Sequence, residues 1–266
     1  MTVSDAAPKR ALVTGAARRL GRAMALALAE RGYDLAVHYA GSRDEAETTV
    51  AEIEAMGRKA VAVQADLLVE AEAETLVARA ATALGGPLTL LVNNASIFEY
   101  DTLASATRDS WDRHIGSNLR APFVLMQQFA AQVPPALRDA AGEPVAQAMV
   151  LNMIDQRVFK LTPEFMTYTI AKMGLWALTR TAAQALAPDI RVNAIGPGPT
   201  LRGARQSEQH FADQRAATIL QRGADPSDVV AAMRYFLDAP SVTGQILCVD
   251  GGQHLVWRTE DVLGVE

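Results

Sequence analysis

Apolar residues fall along this chain in two alternating rhythms. Short runs rich in Val, Ile and Leu stand at 10–15, 33–40, 59–67, 88–95, 146–154, 190–198 and 244–252. None alternates cleanly with polar residues, which predicts strands covered on both faces. Between the runs the period becomes helical. Leu20, Ala23, Met24, Ala27 and Leu28 follow the i, i+3, i+4, i+7, i+8 spacing of one helix face, up to a stop at Gly32. A second helix is predicted to open at SRDE, where Ser42 and Glu45 match a capping box, and to close at Gly57. Such strand–helix–strand units in series call for a parallel sheet with helices on both faces and right-handed crossovers. No Gly/Ser/Pro-rich linker interrupts the series, so residues 1–266 are expected to form one domain. The stretch 200–225 breaks the pattern: polar, weakly periodic and placed after a strand end, it is expected to be a substrate lid.

Composition narrows the function classes. Half of the 266 residues are apolar, about a fifth are charged, and the formal net charge is −5. That balance speaks against a nucleic-acid or anionic-membrane partner, though not against a local basic pocket for one phosphorylated ligand. The single cysteine, Cys248, cannot form an intrachain disulfide and is read as a small buried hydrophobe in a reducing compartment. With no run of membrane-span length and no signal-like N-terminus, the expectation is a soluble cytoplasmic protein. No metal site is expected.

Candidate chemistry begins at TGAARRLG (14–21), a glycine-containing turn between a predicted strand and helix. Backbone N–H groups at such a turn can approach a pyrophosphate, although Arg19 stands where a G-x-G-x-x-G motif has its middle glycine. Arg18 and Arg19 put two cations at the positive end of a helix dipole, each unfavourable by about 0.3–1 kcal/mol unless an anion sits there. The second strand ends in VHYAGSR with no Asp or Glu at 37–41 to hold a ribose 2′-hydroxyl. Arg18, Arg19, His38, Ser42 and Arg43 instead suit a 2′-phosphate; His38 reads equally as a satisfied strand histidine. Asp66 at the third strand end could accept from an adenine amino group or serve as a helix N-cap. Tyr168 and Lys172 (YTIAK) are i and i+4 on one helix face. An ammonium beside a phenol favours the phenolate and makes the Tyr a usable proton donor or acceptor.

Seven segments in order, TGAARRLG, ADL, NNAS, GSNL, YTIAK, RVNAIGPGPT and VDGG, make the chain similar to the short-chain dehydrogenase/reductases from Arg10 to about Gly252. The resemblance implies a Rossmann-type α/β fold with a doubly wound, parallel seven-stranded sheet, and a homo-oligomer, tetramer before dimer. It implies Tyr168 as catalytic acid, Lys172 as the ribose ligand that lowers the Tyr pKa, and Asn118 as anchor of a proton-relay water. The dinucleotide would lie along Gly15, Arg18, Arg19, Leu20, His38, Tyr39, Ser42, Asp66, Leu67, Asn94, Ala95 and Ser96, with Tyr168, Lys172, Pro197, Gly198 and Thr200 at its nicotinamide end.

Three departures from the common family pattern point further. Asp155 stands thirteen residues before Tyr168 where Ser is usual, Arg19 replaces the loop glycine, and Ser96 follows NNA where Gly is usual. Together they resemble the pteridine reductase branch, with its dihydrofolate- and dihydromonapterin-reducing relatives. By that resemblance Phe98 would stack the pterin against the nicotinamide, Ser96 and Arg19 would contact its polar edge, and Asp155 with Tyr168 would handle the proton for a C=N reduction using NADP(H). That branch carries Arg where this chain has Gly41. A carbonyl reductase or alcohol dehydrogenase on an unidentified substrate is the runner-up, and a non-catalytic NADP-binding protein the third reading. The tail 253–266 stays open among interface, lid and core packing.

Overall fold

The structure, a computed structural model, describes residues 7–203 and 206–258. Residues 204–205 of the expected lid and 259–266 of the tail lie outside the described residues. In chain order the elements are β1 (Arg10–Val13), α1 (Arg19–Glu30), β2 (Asp34–Tyr39), α2 (Arg43–Ala55), β3 (Ala60–Gln64), α3 (Glu70–Leu84), β4 (Leu90–Asn93), α4 (Arg108–Ile115) and α5 (Ala121–Ala130). There follow β5 (Leu137–Arg138), β6 (Pro144–Val145), β7 (Ala148–Met153), α6 (Met166–Ala185), β8 (Ile190–Pro197), α7 (Glu208–Ala216), α8 (Pro226–Asp238) and β9 (Ile246–Val249).

The main sheet has seven strands in the order β3-β2-β1-β4-β7-β8-β9, every pairing parallel. The chain winds outward from β1 to β3, returns to place β4 beside β1, then winds the other way. The doubly wound sheet expected from the apolar runs is therefore present, and its switch point lies between β1 and β4, where a crevice opens at the carboxyl edge.

The lack of polar alternation has a direct cause. Ala11 and Val13 of β1 feed the layer that contains Met24, Leu28, Ile53, Met233 and Phe236, while Leu12 between them feeds the layer of Leu76, Leu125 and Phe129 on the other face. The same split runs through Leu90, Leu91 and Val92 of β4 and through Met149, Val150 and Leu151 of β7. Each fully buried Leu or Phe of this kind contributes about 1.5–3 kcal/mol of transfer free energy.

Local signals were followed unevenly. Helix α1 ends at Glu30 and Gly32 takes φ +86°, as its spacing predicts. The capping box expected at α2 does not form: Ser42 is the N-cap residue but makes no side-chain cap bond, and Glu45 pairs instead with Arg18 at 3.7 Å. A short antiparallel hairpin, β5 with β6, is an addition that two-residue strands give no periodicity to announce. The stretch after β8 contains the short helix α7, which buries none of its residues. Among the described residues no helix is long and apolar enough to cross a membrane.

Candidate active site

Above the β1/β4 switch point lies a cleft of about 530 Å³. Its wall is the turn between β1 and α1. Gly15 sits at φ +63°, a region an L side chain rarely adopts, and its N–H donates to His38 Nδ1 at 3.0 Å. A Cβ on Gly21 would lie 2.2 Å from the Gly15 carbonyl oxygen and 2.6 Å from Asn94 Nδ2, so only glycine lets α1 pack this close to the strands. Asn94 Nδ2 in turn donates to Thr14 O at 2.8 Å. The first turn of α1 carries no acid, Arg18 and Arg19 stand at its start, and Arg18 to Gly21 line the cleft. That set fits a pyrophosphate: orphan donors at a helix start and two cations beside them.

Of the residues expected to hold a dinucleotide, Gly15, Arg18, Arg19, Leu20, His38, Tyr39, Ser42, Asn94, Ala95, Ser96, Pro197, Gly198 and Thr200 line this cleft. Asp66, Leu67, Tyr168 and Lys172 do not. Asp66 Oδ1 accepts from Leu68 N–H at 2.9 Å and closes a local turn, while Leu67 packs into the core. Arg43 is also outside the wall, which leaves Arg18 and Ser42 as the candidates for a 2′-phosphate.

Of the two readings of His38, the geometry favours the satisfied strand histidine. With Nδ1 accepting from Gly15, Nε2–H must donate to the Ala65 carbonyl, 3.0 Å away. Burial pushes its pKa down to about 4, so it is neutral and offers no charge to a phosphate. Its position in the wall is structural.

A second cleft, of about 800 Å³, continues the first and shares Arg19, Pro197, Gly198, Thr200 and Leu201 with it. Asp155 lies on its floor, separated from the end of β7 by buried Ile154. The carboxylate caps a short 3₁₀ turn, Oδ1 accepting from Arg157 N–H at 2.8 Å, and Oδ2 accepts from the Tyr168 hydroxyl at 2.9 Å. Lys172 Nζ donates to the Met153 carbonyl at 2.8 Å and stands 5.6 Å from the Tyr168 ring centre. Tyr168 and Lys172 are only 5 % and 2 % exposed, so Asp155 is the member of the set that reaches the wall.

Electrostatics here differ from the expected pattern. Burial raises the Asp155 pKa, against the pull of the Arg157 N–H, the Tyr168 hydroxyl and the Arg157 and Lys172 charges. Burial also raises the Tyr168 pKa well above its usual value, and the Asp155 charge and hydrogen bond push it the same way. Lys172, brought down to about 8 by burial, does not reverse this. The expected lowering of the Tyr pKa by Lys172 is overturned by burial and, after it, by a carboxylate in direct contact with the phenol. The pair titrates as a unit in which the proton is retained.

Neighbouring elements fix the site. A π-helical turn at Gly116–Arg120 carries Asn118, whose Oδ1 accepts from Ile97 N–H at 2.9 Å and whose Nδ2 donates to Ile97 O at 2.8 Å. Its side chain is thus committed to the backbone next to Phe98. Phe98 stacks on Phe165 with ring centres 4.3 Å apart and meets the Tyr168 ring edge-on at 4.7 Å. Ser96 lines the first cleft, and its hydroxyl bonds the Tyr168 hydroxyl, a contact that works against the rise of the Tyr168 pKa. Arg19, at φ +56°, donates to the carbonyls of Leu201 and Arg202 at 3.1 and 3.0 Å.

Several contributors escaped the sequence reading. Glu99 N–H donates to His114 Nε2 at 3.1 Å, so His114 Nδ1–H donates to Thr167 Oγ1 at 2.6 Å, and that hydroxyl donates to Asp101. This buried chain ends one residue before Tyr168. Thr167's adjacency to Tyr168 was the one available signal; nothing in the linear order marks Asp101 or His114 as its partners. Phe165, in the left-handed region at φ +54°, and Arg157, whose guanidinium lies 4.9 Å over the Phe165 ring, complete the second cleft. Among the described residues no cluster of three or more His, Cys, Asp or Glu could hold a metal.

Comparison with known proteins agrees with this geometry. Residues 15–254 match a family model described as Enoyl-(Acyl carrier protein) reductase. The chain is 33 % identical over 252 residues to a 3-oxoacyl-[acyl-carrier-protein] reductase of Staphylococcus epidermidis, covering 93 % of this chain and 99 % of the relative. The crystal structure of the FolM alternative dihydrofolate reductase 1 of Brucella suis, in complex with NADP, superposes with a TM-score of 0.88 at 42 % identity, covering 96 % of this chain and 98 % of that one. The angucycline C-6 ketoreductase LanV with bound NADP superposes at 0.84 with 28 % identity, over 93 % and 96 % of the two chains.

Proposed function

The chain belongs to the short-chain dehydrogenase/reductase family, and we propose that it reduces a ring C=N of a pteridine-type substrate with NADPH. One observation carries the substrate class: the hydrogen bond from Tyr168 Oη to Asp155 Oδ2 at 2.9 Å, with Asp155 at the cleft wall. Reduction of a carbonyl is served by a neutral hydroxyl donor. Reduction of C=N places hydride on carbon and needs a proton delivered to nitrogen. A carboxyl held protonated to higher pH by burial, and reloaded from solvent, is suited to that delivery. The 42 % identity to the alternative dihydrofolate reductase supports the same reading.

NADPH supplies the hydride when bound. The residues that would hold it are the Gly15–Leu20 turn for the pyrophosphate, Arg18 and Ser42 for the 2′-phosphate, and Pro197, Gly198 and Thr200 for the nicotinamide end. Tyr168 positions the Asp155 carboxyl and shares its proton. Asn118 holds Ile97, and so sets Phe98 as an aromatic wall beside Tyr168. We place the protein in the cytoplasm as a homo-oligomer, tetramer favoured.

Steady-state NADPH oxidation with dihydrobiopterin, dihydromonapterin and dihydrofolate tests this. Turnover with at least one is expected, and Asp155→Ser should lower its kcat about a hundredfold, in the range of a lost general acid. A second reading, reduction of a ketone, is favoured by the 33 % identity to the 3-oxoacyl reductase. Ketone turnover with none on any pterin or folate would replace the first reading by the second.

A further inference from the structure

The second cleft is larger than one bicyclic ring requires, and what lies beyond the reacting pair is specific. Leading away from Tyr168 is a track of aromatic faces: Phe98 at 4.7 Å from Tyr168, Phe165 stacked on Phe98 at 4.3 Å, and Tyr100 edge-on to Phe165 at 5.2 Å. Phe98 and Tyr100 are 45 % and 53 % exposed, so the track faces the opening. At its side stands Arg157. Its guanidinium lies over the Phe165 ring, and Nη1 donates to Thr162 Oγ1 at 2.6 Å. Its backbone N–H is tied to Asp155, so the side chain leaves from a fixed point. Among the described residues no carboxylate lies within ion-pair distance of it. A guanidinium oriented by stacking and one hydroxyl, on a side chain that lines the cleft, is preorganised for a carboxylate.

Glu164 lines the same cleft and accepts from the Tyr100 hydroxyl at 3.4 Å. It repels an anion at the Tyr100 side and is an acceptor for an N–H. The two charges therefore sort an asymmetric group: N–H towards Glu164, carboxylate towards Arg157.

Resting on the pteridine reading above, we propose that Arg157 selects substrates whose ring carries an aryl extension ending in a carboxylate, as an aminobenzoyl-glutamate tail does, over pterins with a neutral side chain. The aromatic track would take the aryl group and Arg157 the anion.

The test compares kcat/KM for dihydrofolate and for dihydrobiopterin in wild type, Arg157→Gln and Arg157→Lys, together with calorimetric binding of free p-aminobenzoyl-glutamate to each. Loss of one charge-assisted hydrogen-bonded contact predicts a fall of about tenfold in the dihydrofolate-to-dihydrobiopterin ratio in Arg157→Gln, with partial retention in Arg157→Lys. Fragment affinity should fall by a similar factor. A ratio unchanged in Arg157→Gln, or fragment binding indifferent to the substitution, overturns the assignment. If wild type reduces neither compound, the pteridine reading fails separately, and fragment binding still decides whether Arg157 is an anion site.

Discussion

Protonating His38 would remove the acceptor for the Gly15 N–H, and with it the bond that holds the phosphate-facing turn against β2. Its folded-state pKa of about 4 lies below the value near 6.5 of an unfolded chain. The unfolded state therefore takes up the proton first. The stability His38 confers is complete above about pH 6.5 and is lost as the pH falls towards 4, at about 1.4 kcal/mol per pH unit. Denaturant unfolding at a series of pH values between about 7 and 4.5 should show this slope, and His38→Gln, which keeps an acceptor without titrating, should flatten it. An unfolding free energy of the wild type that does not change over that window would remove the account. The sequence left His38 open between phosphate ligand and satisfied strand residue because both ring nitrogens find partners 23 and 27 positions away. Asp155 was more legible: its offset from Tyr168 set it in the site, and only the direction of the Tyr168 pKa, a matter of burial and contact, went the other way.

At the scale of an element, α6 is begun by another part of the chain. Its N-cap residue, Phe165, has no side-chain cap and a left-handed backbone, so the opening turn depends on Asp101. Phe165 N–H donates to the Asp101 carbonyl at 2.8 Å, and the Asp101 carboxylate accepts from both Thr167 N–H, at 3.2 Å, and the Thr167 hydroxyl. Burial alone would raise the Asp101 pKa; the two Thr167 bonds, a Ser110 bond and the nearby His114 together outweigh it and hold the carboxyl below its usual range. Thr167→Val keeps the shape of the side chain but leaves His114 Nδ1–H and an Asp101 oxygen without their partner. The expected loss is about 1–3 kcal/mol of unfolding free energy, read from the denaturation midpoint, and a stability equal to wild type would show the chain to be dispensable. Strands were the elements most visible in the sequence, since burial on both faces writes itself into consecutive residues. Caps were the least visible: α4 and α8 are closed by capping boxes at Thr107/Ser110 and Asp225/Asp228, whereas the box expected at Ser42 yields to the Arg18–Glu45 pair.

For the whole molecule, the seven apolar runs and their order were enough to place the carboxyl edge and the crevice, because a parallel sheet with a strand-order reversal leaves few alternatives. What they could not place is anything that depends on the return path of the loops, including the aromatic track and the carbonyls that Arg19 grips. The homo-oligomer expected from the family is a prediction at this scale. Trp111 of α4, Phe123 of α5 and Ile170 and Met173 of α6 are each more than a third exposed, apolar surface that association would cover. Sedimentation should return a multiple of the chain mass, and a monomer at micromolar concentration would refute it.

Arg19 joins the two halves of this chain in a way that has a thermodynamic side. It stands in the turn that faces the first cleft, lines the second, and holds the backbone of residues 201 and 202 between them. With both clefts occupied as proposed, one side chain would belong to two binding equilibria at once. Whatever factor the occupant of one cleft imposes on the other through it, the second occupant must return in equal measure, since the four states close a cycle.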